Sequence, residues 1–488
     1  MKACSEKVTT VFLGLMALLL VTILPAPGQD SGSSQTSYSV PVSSVPSPSI
    51  TASSEGPFAG SVPEGKATSE VLPISFSDAI DRGLRNNLGA LLASYSTISS
   101  RGQKWKELSE LLPNLTTSTS ENLAQANLAA EGIRIPGFPS VVGPYGYFDA
   151  RVFLTQSVVN LKSLYRERAA SNGERAAQLN YKDARELVVL AVGNSYLQAL
   201  AGAARVDTSR AQVETAQALY QKAEDQLHAG VTPAIDALRA QVEYQSRQQQ
   251  LIVTTNDYAK QKLALARVIG LPPGQEFTLS DRAPYEPLQA LGIEESLQRA
   301  YASRSDYQAA LEQVNGAQRM RKAATAEYFP TVGVNANYGD LGVTPGNSHG
   351  TFVVSGSLNV PIFQGGKVRA DVLQAEASLR QNEAQLANLR GQIDYEVRTA
   401  LLDLNAAAQQ VEVARSSVDL AQQTLIQARD RFTAGVADNL EVVQAQETVA
   451  SANENYISSL YAHNLAKVAL ARAIGYAETG VKQYLKGK

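Results

Sequence analysis

Cysteine is almost absent from this chain. The only one, Cys4, precedes an apolar stretch, so the exported chain would carry no thiol. This excludes disulfide bonds, thiolate metal sites, a cysteine nucleophile and acylation of an N-terminal cysteine. Charge is also sparse: charged residues make up 18% of the chain, and the formal net charge is −3. Nothing in this composition favours nucleic acid or an anionic surface as a partner.

Sequence patterns of catalytic and metal sites are lacking too. The three histidines, His228, His349 and His463, are scattered and have no zinc spacing. The stretch Gly365–Lys367 lacks the upstream glycine and the following Ser or Thr of a phosphate loop. The Gly-x-Ser-x-Gly elbow of many hydrolases is missing as well. We therefore expect no enzyme activity, no cofactor and no metal site.

Long hydrophobic runs are confined to the N-terminus. Lys2 and Lys7 precede the apolar run Val8–Leu24, which predicts a signal peptide over residues 1–28. Residues 29–74 are rich in Ser and Pro and predict a disordered leader. No later run is long and apolar enough to predict a transmembrane helix. An exported chain that meets a membrane would then do so with β-strands.

An internal repeat dominates the rest of the sequence. Ala229–Val231 is followed by Asp236, and 205 residues later Ala434–Val436 is followed in the same way by Glu441. A repeat of this kind restricts the folds that the chain can adopt. The chain is one structural unit written twice, and the two units are predicted at residues 75–275 and 276–488.

The sequence pattern of each copy predicts a medium helix, a β-hairpin, a very long helix, a sharp turn and a second medium helix. The long helices are expected at Lys162–Leu227 and Lys367–Phe432, and at ~1.5 Å per residue each would span ~100 Å. Both carry a seven-residue hydrophobic period, which predicts a coiled coil. The medium helices are expected at Ser77–Leu111, at Ala234–Ile269 and from about Glu294 to Tyr328.

Period-two alternation marks the strands, each expected to be ~10 residues long, as a tilted membrane strand requires. The first strand is expected from Asn114 to about Gln125, and the connecting loops at Ala126–Pro144 and Gly339–Gly350. In the second hairpin one face is apolar and is expected to meet lipid. The other face is polar and is the predicted pore lining: Asn335, Asn337, Ser355, Ser357 and Asn359.

From about residue 73 to 478 the chain resembles the TolC-like outer-membrane factor family. The likeness rests on the duplicated turns, on the junctions Leu112–Pro113 and Phe329–Pro330, and on the stretch Val360–Gly366. The resemblance implies a mainly α fold with a membrane β-barrel. Two tandem repeats would form a long α-helical periplasmic barrel, and four strands per chain would contribute to a trimeric twelve-stranded β-barrel.

The resemblance also implies a function and a location. It implies the exit duct of a tripartite efflux pump or a type I secretion system, in the Gram-negative outer membrane with its helical part in the periplasm. The implied partners are two further copies of the chain, a periplasmic adaptor (membrane fusion) protein, an inner-membrane RND, ABC or MFS pump, and outer-membrane lipid. The alternative is a soluble periplasmic coiled-coil adaptor, which predicts a lipoyl-like β-domain within a helical hairpin.

In the family the tunnel narrows at the helical turns, where polar and acidic residues hold it shut. The matching gate candidates are Asp236, Glu441 and Gln444. Phe432 and Ala437 stand where relatives often have a polar latch. Closure by packing is therefore expected to matter more here. The alternative interpretation makes the acids solvated residues that cap the helix after each turn.

The turns themselves are the expected docking points for a periplasmic adaptor. The residues concerned are Gly230 and Val231 in the first copy, and Gly435 and Val436 in the second. Glycine permits a positive φ in a tight reversal. Turn geometry alone is the alternative explanation of the two glycines.

Overall fold

A computed structural model describes residues 56–130, 132–281, 285–286, 292–437 and 439–484. The predicted signal peptide and most of the predicted leader lie outside these residues. The helices are α1 Phe76–Asn86, α2 Leu88–Ser109, α3 Leu161–His228, α4 Ala234–Ile269, α5 Ile293–Ser303, α6 Ser305–Ala326, α7 Lys367–Thr433, α8 Asn439–Ala473 and α9 Ala477–Tyr484. The strands are β1 Leu72–Ile74, β2 Asn114–Asn127, β3 Val141–Val159, β4 Phe277–Leu279, β5 Thr331–Thr344 and β6 Asn347–Asn359.

The end of the predicted leader is ordered, so the expectation of disorder up to residue 74 is wrong from residue 56 onward. The backbone N–H of Val62 donates to the carbonyl of Asn86, and that of Glu64 donates to the carbonyl of Gly270. β1 then pairs in parallel with β4. Backbone hydrogen bonds to the rest of the first copy hold this segment in place, and Phe58, Leu72 and Ile74 add apolar contacts with the core.

The first predicted medium helix is two helices joined at Asn87. α1 begins with a capping box, in which the Ser75 hydroxyl accepts from the N–H of Asp78 while the Asp78 carboxylate accepts from the N–H of Ser75. Asn87 is extended, and its side-chain oxygen accepts from the N–H of Gly89 to begin α2. The sequence pattern predicted one continuous helix across this break, because an Asn inside a helix does not by itself end the helix.

The matching helix of the second copy breaks at Arg304, between α5 and α6. The arginine is extended and 2% exposed. Its guanidinium donates to Asp306 (2.6 and 3.0 Å) and to Glu396 on α7 (2.5 Å). The continuous helix expected from Glu294 to Tyr328 is therefore wrong at this point. A buried guanidinium needs carboxylates to compensate its charge, and the break places it among them.

Four strands form one antiparallel sheet in the order β2-β3-β5-β6. They are 14, 19, 14 and 13 residues long, more than the ~10 expected for a membrane strand. The predicted loop Gly339–Gly350 is wrong: β5 and β6 pair almost to their tip and leave Pro345 and Gly346 as the turn. Gly339 lies so close to the Ala150 carbonyl of β3 that a Cβ would be 2.2 Å from it. Glycine there serves strand packing rather than a loop.

The helices continue the strands in the same order. α2 leads into β2, β3 into α3, α6 into β5, and β6 into α7, and neighbouring helices pack side by side. α4 then folds back along α3, and α8 folds back along α7. Each end of the two predicted long helices lies within one residue of the corresponding end of α3 or α7. The bounds predicted for α4 are confirmed.

The largest apolar cluster lies where α1, α3, α4 and α8 meet around β1 and β4. It is built from fully buried side chains: Ile74, Ile80, Val188, Val189, Val192, Leu265, Ile269 and Val468. One window of α3 is long and apolar enough to cross a membrane by composition alone. Since 56% of that window is buried within the chain, it is weak evidence for a span, and a core helix has the same composition.

Charged side chains join the two copies next to this core. Arg472 on α8 lies 2.5 Å from Asp183 and 3.3 Å from Glu186, both on α3. Burial raises the pKa of Glu186 to about 7, although Arg472 acts in the opposite direction. This carboxyl therefore titrates near neutral pH, in an interface between the two repeats.

Candidate functional site

The register of the sheet puts the predicted pore-lining residues on one face. Directly opposed residues of an antiparallel pair share a face. Asn335 is opposite Ser355, and Asn337 is opposite Val353. Further along, Gly333 faces Ser357 and Thr331 faces Asn359. The structure thus brings the five predicted residues together on one polar face, which β3 extends with Thr155 opposite Asn335.

An ion pair also lies on this polar face, and sequence reasoning did not assign it to the pore. The Arg151 guanidinium donates to Asp149 (2.6 Å) on its own strand and to the Asn337 side chain (2.9 Å) on β5. The alternation of Asp149 and Arg151 in β3 was the available signal. Because the two charges compensate each other, the polar face has almost no net charge along the described strands.

The other face of the sheet is apolar near the helices and becomes polar farther away. Val334, Ala336 and Tyr338 of β5 lie here, next to Val354 and Phe352 of β6. Phe352 and Val354 are 73% and 67% exposed, so no part of the described chain covers this face. An uncovered apolar band edged by aromatic side chains is typical of a strand surface in contact with lipid.

Both outer edges of the sheet are open. β2 pairs only with β3, and β6 pairs only with β5, among the strands that the structure describes. Unpaired edge N–H and C=O groups cannot be left in a hydrocarbon layer, because nothing there hydrogen-bonds to them. Within one chain the sheet is therefore an incomplete wall.

The two helical turns have the same geometry at the opposite end of the long helices. Gly230 and Gly435 each have a φ of 70°. A Cβ would meet nothing within 4 Å at either position, so the backbone conformation rather than crowding requires glycine. Val231 and Val436 are about equally exposed, at 71% and 70%. The turns therefore present two similar apolar tips.

The gate candidates near these turns already have cationic neighbours. Glu441 lies 3.2 Å from Arg431, with both side chains largely exposed. Asp236 is buried and lies 3.7 Å from Arg239. Gln444 is exposed on α8 and lines an open groove. The acids are thus paired within one chain, and each lies in the first turn of a helix, where its charge also suits the helix dipole.

Phe432, at the position expected for a latch, is buried. It packs with Leu219 of α3 and with Val442 and Ala445 of α8. Lys222 of α3 crosses the same contact: its Nζ donates to the Thr433 hydroxyl (2.8 Å) and lies 6.0 Å from the centre of the Phe432 ring. No sequence signal marked Lys222 as part of this site. Ala437 is half-buried beside the turn.

Outside these regions the structure offers no obvious chemistry. Among the described residues no group of three or more His, Cys, Asp or Glu side chains is arranged to hold a metal ion. The grooves near the turns are open and lined mainly by polar and charged side chains. The arrangement is thus a polar strand face, an uncovered apolar face, two open edges and a pair of distant helical turns.

Comparisons with known proteins agree with this arrangement. The model of the family described as outer membrane efflux protein matches residues 109–271 and 296–476, which is more than two thirds of the chain. The probable efflux pump outer membrane protein SepC of Pseudomonas putida is 24% identical over 411 residues, which cover 82% of each chain. The probable outer membrane lipoprotein SilC of Salmonella typhimurium is 22% identical over 297 residues, covering 59% of this chain and 63% of SilC.

A solved structure shows the same fold. The outer membrane protein VceC of Vibrio cholerae superimposes with a TM-score of 0.70 at 20% sequence identity, over 82% of this chain and 96% of VceC.

Proposed function

Because the chain belongs to the outer membrane efflux protein family, we propose that it is the outer-membrane exit duct of a tripartite efflux pump or of a type I secretion system. The family is one of transport channels, so the protein acts as a passive conduit that needs no catalytic group. It resides in the outer membrane, and its long helices extend into the periplasm.

The observation that carries this proposal is the four-stranded sheet with two open edges, each strand of which continues into a helix. A sheet that faces lipid must close on itself. Barrels of about eight strands are filled by their own side chains, so a duct needs more strands than that. Three copies would supply twelve strands and would join β6 of one copy to β2 of the next in the antiparallel sense.

The polar strand face would then line the pore. Asn335, Asn337, Ser355, Ser357 and Asn359 offer hydroxyl and amide groups to water and to passing solutes. The paired charges of Arg151 and Asp149 add little net field. Such a wall does not select strongly by charge, which suits a conduit whose specificity lies in the pump.

The opposite end of the tube is where we place the gate and the docking surface. Asp236, Glu441 and Gln444 are the proposed polar gate residues, and the packing of Phe432 reinforces closure. Gly230, Val231, Gly435 and Val436 form the proposed docking tips for a periplasmic adaptor, which would connect the duct to an inner-membrane RND, ABC or MFS pump. The exposed valines of the two turns support this, because apolar tips are suitable contacts for a partner helix.

The soluble adaptor fits the chain less well. It predicted a lipoyl-like β-domain between the two halves of a helical hairpin, but tight turns occupy that position in both copies. The family match also covers both repeats and describes an outer membrane protein.

A matched pair of substitutions tests the duct directly. Val354→Arg places a charge on the apolar strand face and should cost ~2–4 kcal/mol near the middle of the bilayer. Ser355→Arg, one residue away on the polar face, should leave assembly intact. Detergent extraction and heat-modifiable gel migration measure both variants. If the two variants assemble equally well or equally poorly, the assignment of the apolar and polar faces of the sheet is contradicted.

The docking tips are tested separately. Val436→Asp puts a charge on an apolar tip without altering the glycine that sets the turn. We expect it to abolish co-purification with the adaptor, whereas Val62→Asp, an exposed valine in the N-terminal segment, should not. Retained co-purification with Val436→Asp would refute a docking role for this tip.

A further inference from the structure

The medium helix that precedes each hairpin ends on a glutamate. Glu110 caps the C-terminus of α2, and Glu327 caps that of α6. The two residues have nearly the same backbone angles, with φ −66° and ψ −17° at Glu110 and φ −65° and ψ −15° at Glu327. The offset between them also relates Pro113 to Pro330. The two glutamates are therefore equivalent positions of the repeat.

Each long helix begins with a lysine at an equivalent position. Lys162 lies in the first turn of α3, and Lys367 is the first residue of α7. Nζ of Lys162 lies 2.7 Å from the Glu327 carboxylate, and only 9% of that glutamate side chain is exposed. Within one chain, the lysine of the first repeat thus reaches the glutamate of the second, across the neighbouring helices α3 and α6.

Lys367 lacks the equivalent contact within its own chain. It lies at the edge of the sheet that ends with β6, and its side chain is 63% exposed. Its Nζ turns back to Glu327 at 3.4 Å and to Asp371 at 3.7 Å, both longer than the Lys162 contact. At the opposite edge, Glu110 is exposed and forms no ion pair within the described chain. The two edges thus carry opposite charges at the same level.

A second pair of positions on these helices agrees with this arrangement. Inside the chain, the Asn172 amide of α3 donates to the Glu312 carboxylate of α6 (2.6 Å). The repeat places Ala377 of α7 and Tyr95 of α2 at the corresponding positions. Both are exposed, Tyr95 by 63%. A hydrogen-bonded pair is thus replaced on both sides by a methyl group and an aromatic ring, which suit apolar packing.

Glu110 and Lys367 cannot meet within one chain, because α3 and α6 lie between their helices. Neighbouring packed helices are ~8–10 Å apart, so three such steps place α2 roughly 20 Å or more from α7. The two residues become neighbours only when β6 of one copy joins β2 of the next. The order of the helices then continues from α7 to α2 of the next copy.

We propose that Lys367 of each copy pairs with Glu110 of the partner subunit, at the level where the sheet passes into the helices. Along the same contact, Tyr95 of the partner subunit packs on Ala377, ~15 Å farther along α7. Both contacts repeat between copies what α3 and α6 do within one copy, and they complete a ring of alternating lysines and glutamates. The inference rests on the proposed function as a closed duct and adds the residues that lock neighbouring copies together.

Paired cysteines test this contact in the full-length protein, in a Cys4→Ser background that has no other thiol. The test pair is Glu110→Cys with Lys367→Cys. The matched control is Glu327→Cys with Lys162→Cys, the equivalent pair within one chain. Outer membranes are treated with a short bis-thiol cross-linker, and the products are analysed on denaturing gels together with the loss of free thiols.

The test pair should give covalent products of two and three chains. Their yield should exceed that of either single cysteine variant by at least about tenfold, because the pairing holds the two thiols close together. The control pair should lose its thiols while the product stays at the size of one chain. A reacted control pair beside an unreacted test pair would overturn the proposal, and so would a test pair that closes within one chain.

A double-mutant cycle shows whether the two charges act on each other. Glu110→Gln and Lys367→Gln should each lower the temperature at which the detergent-resistant oligomer dissociates. The double variant should lower it little more than Lys367→Gln alone. As the control, Arg321 pairs with Glu376 inside the chain, so Arg321→Gln should add its own shift in full to that of Glu110→Gln. Additive shifts for Glu110→Gln and Lys367→Gln, or no shift in either, would contradict the pairing.

The parent chain separates a failure of this contact from a failure of the proposed duct. If the parent forms no heat-modifiable oligomer in detergent, the proposed function itself is overturned. If the parent forms that oligomer while the test pair stays uncross-linked, only the pairing of Lys367 with the partner's Glu110 is overturned.

Discussion

The helix that precedes each hairpin is broken at the same place in both copies, but different chemistry holds each break. In the first copy Asn87, fully buried, donates its side-chain N–H to the Phe58 carbonyl and caps α2. In the second copy, 217 residues later, Arg304 occupies the same place with carboxylates around it. The first break uses the ordered N-terminal segment as its partner. The second break is surrounded instead by charges from α6 and α7.

The comparison shows that backbone geometry survives duplication more readily than the interactions that stabilise it. Each break also lies against a glycine with positive φ, Gly270 in the first copy and Gly475 in the second. A neutral hydrogen-bonding side chain thus stabilises the first helix break, and a buried ion cluster stabilises the second. They should respond differently to mutation and to pH.

The largest expected effect is at the second break. Arg304→Ala leaves Asp306 without its buried partner and should lower the free energy of unfolding by about 3–5 kcal/mol. Denaturant titration of the detergent-extracted protein measures this. Arg398→Ala removes an exposed i,i+4 pair with Asp394 and should change stability very little. Equal losses for the two variants would mean that the burial of Arg304 does not matter.

The first break should be less costly to disturb. Asn87→Ala removes a helix cap and leaves the Phe58 carbonyl without its donor, at an expected cost of about 1–3 kcal/mol. The same titration gives the value. The N-terminal segment should also become more accessible to protease. A loss as large as that of Arg304→Ala would remove the distinction between the two breaks.

Of the two breaks, only the second is connected to carboxyl groups with raised pKa values, because Arg472 lies 3.7 Å from Asp306 and also pairs with Asp183 and Glu186 of α3. The pKa of Glu186 is raised in the folded chain, from 4.5 to about 7, mainly by burial. Its stabilising contribution is therefore complete below pH 4.5 and is lost as the pH rises through about 7. Burial also raises the pKa of Asp183, which acts in the same direction.

Glu186→Gln should flatten this part of the profile of stability against pH. The first break has no ionisable group in its hydrogen bonds. Asn87→Ala should therefore lower the stability by a similar amount at every pH. Melting temperatures between pH 5 and 8, measured on both variants and the parent chain, check the two expectations. An unchanged slope in Glu186→Gln would contradict the assignment.

The smallest effect on stability is expected at the turns. Glu441 and Arg431 are both exposed, so Glu441→Ala should cost less than about 1 kcal/mol. Its effect should appear in conductance and in block by cations, with Asp236→Ala as the comparison in the other copy. If neither conductance nor block changes in Glu441→Ala, this residue takes no part in a gate.

The sequence was most informative where a pattern repeats. The helix Ala234–Ile269 and the common face of Asn335 and Ser355 were predicted correctly, because a period of either 3.6 or two residues determines them. The breaks at Asn87 and Arg304 were missed, since tertiary partners rather than local preference produce them. The length of β5 was underestimated because Gly339 was taken as a loop residue.

The site was less predictable than the fold. The contact of Lys222 with Thr433 joins positions 211 residues apart, and no local pattern encodes it. Arg431 beside Glu441 was missed for the same reason, since the two residues meet only after the turn reverses the chain. Positions in a repeat can be read from one sequence, whereas pairings between helices depend on how the repeats pack.

The most direct test of this account asks whether the open edges of the sheet meet between copies. One cysteine on β2 and one on β6 are introduced together into each Cys4→Ser chain, and outer membranes are oxidised and analysed on non-reducing gels. The account predicts cross-links between chains for matched β2 and β6 positions, forming a ladder that ends at three chains. Cross-links formed only within single chains, from a protein released without detergent, would contradict it.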